Sequence, residues 1–359
     1  MKKNNKNRIL HVAVTTQNII SVIFLSLIAI MTLTFCIIIL LRNASLRKQN
    51  EAYQQQLGML QEKGYYKVDQ VDLMLEEAKK NASKEARQQV LGNIKSKLEA
   101  GNSTASVLRN LFEGQILVQK DGRYYFVPID SSLKMNNFKE TDFTKNDKGI
   151  LEYHGSSEKV SGTLGIDVSR FQEDIDWESV AKQGVSYAFI RVGNRGTSTG
   201  KLVEDEKFKQ NVEGALQNGI SVGVYIFSSA INEAEIKEEA ELVLDAIEPY
   251  EIKYPVVIDV ERPNSKDYRT QDLSKDDYTK LVKKFCNIIS KAGYTPMIYG
   301  NIETFSLILD MKELEGIQKW IAYYNMPQYF PYDFTYWQYS SKGTIDGVKG
   351  QVDLNIMVK

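Results

Sequence analysis

A long apolar stretch dominates the hydrophobic pattern at the N-terminus. Residues 11–41 contain no Asp, Glu, Lys or Arg, and residues 19–41 suffice to cross about 30 Å of hydrocarbon at about 1.5 Å per helical residue. The pattern predicts a transmembrane helix at 19–41 behind a short cytoplasmic tail at 1–18. A cleaved signal peptide is the alternative, although its apolar region usually spans only about 7 to 15 residues.

Helical spacing continues over residues 42–101. Leu46, Tyr53 and Leu60 recur every seven residues, and a second apolar pattern runs at helical spacing from Val71 until Gly101. We interpret this region as a helical stalk. It is either a spacer or a surface through which copies of the chain associate with one another.

The pattern in residues 102–162 predicts a small segment that contains a hairpin, followed by a linker. Two apolar runs, 115–118 and 124–129, flank Asp121 and Gly122, a pair that supplies the positive φ of a tight hairpin turn. Residues 130–161 are polar and weakly patterned, which is typical of a linker.

From residue 163 to residue 359, apolar runs of strand length alternate with amphipathic helical patterns. The eight candidate strands are 164–168, 187–192, 221–227, 255–260, 295–299, 320–324, 334–339 and 352–354. Helical patterns at 205–218, 233–247 and 275–292 separate several of them, so the alternation predicts the α/β class and a parallel sheet. Eight strands in this length favour an irregular TIM-like (β/α) barrel over an open doubly wound sheet.

The residue inventory narrows the chemistry of that barrel. A net charge of -1 without a basic block outside the membrane flanks gives no reason to expect nucleic acid as a partner. The two histidines, His11 and His154, both precede the barrel, which excludes a histidine-based triad or a histidine-ligated zinc there. Cys36 and Cys286 lie in an apolar stretch and in a predicted helix, where we expect packing roles. If the barrel is an enzyme, its chemistry must therefore use carboxylates.

Four acidic residues occur at the ends of predicted strands, where the active sites of such barrels lie. These are Asp167, Asp259, Glu261 and Asp353. Asp259 and Glu261 are one residue apart, so on a strand they share a face at a separation of about 7 Å. This spacing fits a pair that flanks a glycosidic bond, with Glu261 protonated as general acid and Asp259 ionised. The alternatives are a salt-bridged pair at a strand end and a carboxylate set that binds Mg²⁺ or Ca²⁺.

Aromatic side chains in or near the predicted strands are candidates for sugar binding, because aromatic faces commonly stack on sugar rings. The rings concerned are Tyr225, Tyr299, Tyr323, Tyr324, Trp337 and Tyr339. Our candidate substrate-binding residues are Tyr225, Tyr299, Tyr323, Trp337 and Gln338. The competing interpretation assigns about half of these rings to the core.

These motifs resemble glycoside hydrolase family 25, the Chalaropsis-type lysozymes, over residues 165–355. The matching stretches are GIDVSRFQEDIDW, GVSYAFIRVG, DEKFKQNVEGALQNGISVGVY, YPVVIDVE and WQYSSKGTIDGVKGQVDLN. The resemblance implies hydrolysis of the β-1,4 bond between N-acetylmuramic acid and N-acetylglucosamine in peptidoglycan, without a metal or organic cofactor. Phe171 stands where the family usually has Trp, and Ile226 where a His is common.

Carried over by position, Glu261 resembles the family's general acid and Asp259 its partner carboxylate. Asp167 and Asp353 complete the acidic floor. The resemblance implies retention of configuration, either through an enzyme nucleophile or through the substrate's own N-acetyl group.

The resemblance also implies where the protein acts. Basic residues flank the apolar stretch on both sides, so the orientation follows from the substrate, which places the barrel outside a bacterial cell membrane. We expect a lysozyme held by one transmembrane helix that remodels the cell wall. The alternative is a non-catalytic, membrane-anchored scaffold that binds the wall.

Overall fold

The computed structural model describes residues 3–62, 68–157, 160, 162–263, 265, 267–324, 326 and 328–358, in two compact units, 1–99 and 100–359. The first unit contains helices α1 (Lys3–Glu62) and α2 (Val68–Glu99). Within α1, the stretch Asn18–Met59 is long and apolar enough to cross a membrane. The predicted stalk is helical in both elements, apart from residues 63–67, which lie outside the described residues. Insertion into a membrane stays a prediction.

The second unit begins with five short elements. They are helix α3 (Thr104–Leu111) and strands β1 (Gln115–Lys120), β2 (Arg123–Pro128), β3 (Phe143–Lys145) and β4 (Leu151–Tyr153). β1 and β2 form the predicted antiparallel hairpin, and Asp121 and Gly122 adopt φ angles of 48° and 71° at its turn. The Asp-Gly pair therefore plays the role that the sequence indicated.

A closed eight-stranded barrel makes up the rest of this unit, which confirms the predicted fold class. Its elements in chain order are β5 (Thr163–Val168), α4 (Trp177–Lys182), β6 (Tyr187–Arg195), β7 (Leu202–Glu204), α5 (Phe208–Gln217), β8 (Ser221–Phe227), α6 (Glu233–Ile247), β9 (Val256–Asp259), α7 (Lys275–Lys291), β10 (Pro296–Asn301), β11 (Gln318–Ala322), β12 (Tyr336–Gly343) and β13 (Val352–Met357). The barrel closes because β5 pairs with both β6 and β13, while β7 lies beside β6 as an extra edge strand.

The last barrel strand runs against the other seven. β13 pairs antiparallel with β12 and with β5, whereas the remaining neighbours are parallel. The sequence predicted a parallel sheet, and β13 is the one barrel strand that departs from it. The physical reason is the short connection 344–351, because a parallel crossover needs a dozen or more residues. The amino end of β13 consequently lies at the same barrel edge as the carboxyl ends of the others.

Side chains alternate between two cores along each barrel strand. The inner core is rich in aromatic rings, and Phe189 stacks on Trp320 with ring centroids 4.5 Å apart. A Cβ on Gly223 would lie 2.4 Å from the Phe189 ring, so glycine makes room for it. Outward-facing residues such as Ile190 and Ile226 belong to the larger outer core.

Residues 130–157 pack on the barrel, whereas the sequence predicted a linker there. Phe143 is buried and meets the Trp337 ring edge to face at 5.3 Å, and Phe138 packs on Phe334 at 5.4 Å. Backbone hydrogen bonds add to this contact, from Asn136 N to the carbonyl of Pro331 and from Asp333 N to the carbonyl of Lys134. The reason lies in the barrel, since α7 is the last α-helix of the described chain and leaves the outer faces of the later strands to be covered by other segments.

We expect Phe143→Ala to lower the free energy of unfolding of the second unit by about 3 to 5 kcal/mol, because it removes a buried ring. Urea titration followed by tryptophan fluorescence measures this, since Trp177, Trp320 and Trp337 are the chain's three tryptophans and all lie in the barrel. The matched control is Phe171→Ala, the same change at a ring that is 70% exposed. An unchanged midpoint for Phe143→Ala would contradict the packing described.

Candidate active site

One end of the barrel gathers the four predicted acidic residues. Asp167 on β5 and Asp353 on β13 are direct partners across the antiparallel pair, while Asp259 ends β9 and Glu261 follows two residues later. Their side chains influence one another electrostatically, as expected for neighbours. The prediction that Asp353 lies at the carboxyl end of its strand was wrong. Asp353 reaches this edge from the amino end of its strand, because β13 is antiparallel.

Two amide side chains fix the position of the Asp167 carboxylate. Gln338 Nε2 and Asn355 Nδ2 each donate to Asp167 Oδ2 at 2.8 Å. Asn355 Oδ1 in turn accepts from Trp320 Nε1 at 2.8 Å, and Gln338 Oε1 accepts from Tyr299 at 2.8 Å. Because each amide oxygen receives a donor, each amide nitrogen faces Asp167. Asn355 was not among our candidates, although it lies two residues after Asp353 and so on the same strand face.

Burial raises the pKa of all four carboxyls, and repulsion from neighbouring carboxylates adds to it for Asp167, Asp259 and Asp353. Burial is the largest cause in each case, and it raises the pKa of Asp167 to about 6 and that of Asp353 to about 8. Burial also raises the pKa of Glu261, and it raises that of Asp259 well above its usual value, with Glu261 and Asp167 adding to the effect. The cluster therefore retains protons at neutral pH.

The Asp259 carboxyl is the most strongly affected member of the pair. It is 7% exposed, and its Oδ1 has no hydrogen-bond partner among the described residues. Our sequence-based expectation placed the proton on Glu261 and left Asp259 ionised. Burial of a carboxyl oxygen that has no donor among the described residues favours the protonated form of Asp259 as well. Carboxyls that share protons in this way titrate as a group.

Arg191 supplies positive charge beside the cluster. It occupies an inner position of β6 and lowers the pKa of Asp259. Its Nε and Nη2 lie 2.7 and 2.6 Å from Asp205 Oδ2, and this shared carboxylate oxygen holds the guanidinium in place. Sequence analysis missed Arg191. The signal was a charged residue at an inward position of an otherwise apolar strand.

The structure places three of the five predicted substrate-binding residues at the site. Tyr225 and Tyr299 occupy inner positions, and burial together with nearby carboxylates raises the pKa of both hydroxyls. Gln338 is present too, although its amide is occupied by Asp167 and tyrosine hydroxyls. Tyr324 also lies at the site. Its side chain is 48% exposed, and its hydroxyl donates to Gln338 Oε1 at 2.7 Å.

Tyr323 and Trp337 do not lie in the site. Trp337 is fully buried in the outer core, where its Nε1 donates to the carbonyl of Tyr323 at 2.6 Å. The Tyr323 ring packs near Tyr329 and the Arg109 guanidinium. Alternation explains the error, because Trp337 directly precedes Gln338 and two consecutive strand residues face opposite sides.

Phe171 and Ile226, the two residues that differ from the usual residues of the family, lie in different parts of the barrel. Phe171 is exposed, and the guanidinium of Arg191 lies 5.0 Å from its ring centre, so Phe171 borders the acidic cleft. Ile226 is fully buried in the outer core and faces away from the carboxyls. Only the change at Phe171 affects the cleft surface.

This arrangement combines proton-holding carboxyls, negative charge and tyrosine rings at one open edge. Such a set suits proton donation to a leaving oxygen and electrostatic stabilisation of a cationic transition state. A hard cation would use the same oxygens, but Asp167 Oδ2 already accepts two hydrogen bonds. Ca²⁺ prefers roughly six to eight oxygen ligands, and the two hydrogen bonds leave fewer carboxylate oxygens free to act as ligands.

Comparisons with known proteins agree on one family. The model for glycosyl hydrolases family 25 matches residues 166–348. YegX of Escherichia coli strain K12 is 30% identical over 200 residues, covering 54% of this chain and 68% of YegX. Lysozyme M1 of Streptomyces globisporus is 27% identical over 207 residues, covering 55% and 68%. A structure of the modular autolysin LytC from Streptococcus pneumoniae has a similar fold, with a TM-score of 0.50 at 23% identity over 67% of this chain and 57% of that chain.

We expect the unfolding free energy of the barrel to fall as the pH rises from about 4 to about 8. The Asp353 pKa is raised to about 8 in the folded state, against about 3.9 for an unfolded Asp, so its stability contribution is complete below pH 4 and is lost towards pH 8. The free energy of unfolding of Asp353→Asn should exceed that of the wild type by more than about 1 kcal/mol at pH 8, and the two values should agree near pH 4.

Urea titrations at pH 4, 6 and 8 measure this difference. Asp272→Asn, a change at an exposed position, serves as the control and should follow the wild type throughout. A constant difference between Asp353→Asn and the wild type at all three pH values would contradict the electrostatic account.

Proposed function

The chain belongs to glycosyl hydrolase family 25, and from that membership we propose a muramidase that cuts peptidoglycan glycan strands with Glu261 as its proton donor. Family membership makes it a glycoside hydrolase, and peptidoglycan is the substrate class that the family and its lysozyme relatives support. The observation that carries the residue assignment is the meeting of four carboxyls with raised pKa at one barrel edge.

The proposed reaction separates the two roles within the Asp259 and Glu261 pair. Protonated Glu261 donates to the oxygen that bridges the two sugars, while ionised Asp259 stabilises the positive charge that develops on the ring. Arg191 favours the ionised form of Asp259, because it is the cation that lowers the pKa of that carboxyl. The reaction requires the microstate with Asp259 charged and Glu261 protonated. Because burial raises the pKa of Asp259 more strongly than that of Glu261, this microstate is a minor one of the coupled pair, and activity should be bell-shaped in pH.

Two routes complete the reaction after this proton transfer. Either Asp259 attacks the anomeric carbon, or it orients the substrate's own N-acetyl group to do so, as the bond from that carbon to the protonated bridging oxygen breaks. Water then hydrolyses the intermediate and gives a proton back to Glu261. Asp167 is held by its two amides and contributes negative charge beneath the sugar above its pKa of about 6, whereas Asp353, with a pKa of about 8, keeps its proton at neutral pH. Tyr225 and Tyr324 provide ring faces beside the carboxyls.

We further propose that α1 anchors the protein in a bacterial cell membrane, with the barrel on the outer side. Family membership supports action at the cell wall. The apolar stretch within Asn18–Met59 supports the anchor, since its described side chains are exposed and apolar. Association of copies through the stalk stays a prediction.

The decisive experiment incubates the full-length chain in detergent with purified peptidoglycan and assays new muramic-acid reducing ends. Products are expected with and without excess EDTA. Binding to peptidoglycan without products between pH 4 and 8 would favour the scaffold alternative, and loss of activity in EDTA would favour a bound cation.

Glu261→Gln should lower the rate of reducing-end release by about 10²- to 10⁴-fold, because an amide has no proton to donate to the leaving oxygen. The fold should remain, since the change also removes one buried ionisable group. Glu251→Gln, on an exposed side chain, is the control. Turnover by Glu261→Gln at the wild-type rate would remove Glu261 from the acid role.

Tyr299→Phe should move the basic limb of the pH–rate profile upward by about half a unit to one unit. The single Tyr299 proton points either to Gln338 Oε1 or to the Glu261 carboxylate, and in the second case Gln338 Oε1 still accepts from Tyr324. The hydrogen bond to Glu261 lowers the pKa of that carboxyl. Without it, Glu261 holds its proton to higher pH. Tyr225→Phe is the comparison variant, whose basic limb should stay in place, and a downward shift in Tyr299→Phe would contradict the assignment.

A further inference from the structure

The hairpin β1–β2, which lies outside the family-matched region, is connected through Glu303 to the residue next to the proposed proton donor. Lys120, the last residue of β1, lies well before residue 166, where the match begins. Its Nζ is 2.8 Å from Glu303 Oε1, and the same oxygen is 3.2 Å from Arg262 Nη1. Arg262 directly follows Glu261. One carboxylate oxygen thus joins the hairpin to the segment that carries Glu261.

Two consecutive residues beyond β10 hold both chain neighbours of Glu261. Glu303 binds Arg262, and Thr304 Oγ1 donates to the carbonyl of Val260 at 2.8 Å. Thr304 is fully buried, which fixes its hydroxyl firmly. Glu303 is partly exposed, so its rotamer needs a further partner, and Lys120 supplies it.

The base of Lys120 is itself well anchored. Ile116 and Val118, on the same strand, are buried in the outer core of the second unit. The Arg109 guanidinium on α3 lies 4.6 Å from the Tyr329 ring centre, which adds a cation–π contact between the accessory segment and the barrel. Lys120 therefore extends from a rigid strand, and a support on such an element positions its partner accurately.

We infer that Lys120 is a positioning residue for Glu261, acting through Glu303 and Arg262. This inference rests on the proposed role of Glu261 as proton donor. It assigns the α3 and β1–β2 segment a part in catalysis, in addition to covering the barrel. Lys120 touches neither substrate nor a reacting atom in this role, and it acts by holding Arg262, through Glu303, and with it the chain directly after Glu261.

An ordinary structural ion pair would behave differently. Partly exposed pairs contribute little to global stability, so Lys120→Met should unfold at nearly the wild-type urea concentration. A positioning role instead lowers kcat, because small displacements of a catalytic group slow the chemical step. The Michaelis constant should hardly change.

The test measures reducing-end kinetics of the full-length protein. Lys120→Met is expected to lower kcat about threefold to tenfold with KM unchanged, and Lys120→Arg to restore most of the rate. The control is Lys312→Met, which breaks a 2.8 Å ion pair between Lys312 in the barrel region and Asp130, which follows the hairpin. Wild-type kcat in Lys120→Met, or an equal loss in Lys312→Met, would overturn the inference.

Hydrogen exchange provides a readout that does not depend on activity. Amides in the peptide spanning 256–269 should exchange faster in Lys120→Met than in the wild type or in Lys312→Met. If the wild type releases no reducing ends, the proposed function fails. The exchange rates of Lys120→Met and the wild type still show whether the contact of Lys120 with Glu303 holds the segment around Glu261. Unchanged exchange across the peptide would refute the positioning role by itself.

Discussion

The antiparallel insertion of β13 between β5 and β12 is the constraint on which the barrel and its acidic edge depend. It closes the sheet, and it brings Asp353 directly opposite Asp167 although 185 residues lie between them in the chain. The same strand carries Asn355 inward, where it holds Asp167 together with Gln338 from the neighbouring strand. A parallel last strand would have turned these residues toward the other end of the barrel.

The acidic edge opposes folding stability. Two carboxyls on directly opposed strand positions repel each other when ionised, and burial raises the pKa of all four members. The surrounding structure offsets this cost through the amides on Asp167, the guanidinium of Arg191 and the apolar layers beneath. In the proposed reaction Glu261 must hold a proton, so the burial that weakens the fold also favours the protonated form that this role requires.

Much of the barrel was predictable because its signal is local. The alternation that defines strands such as β8 and the helical spacing of α6 are visible in short windows, and the Asp-Gly turn of the first hairpin has a known backbone requirement. The four acids were predictable because carboxylates are rare in buried strands. Trp337 was misplaced because composition was considered without strand alternation, which would have turned it outward beside Gln338.

The remaining features depend on contacts between distant parts of the chain. Neither the packing of Phe143 on Trp337 nor the contact of Lys120 with Glu303 has a counterpart in local spacing. The cover that residues 100–157 give the barrel also has a practical consequence. A truncation at residue 163 would expose apolar faces such as that of Trp337, so we expect a soluble fragment to need the chain from about residue 100, about 65 residues upstream of the family boundary.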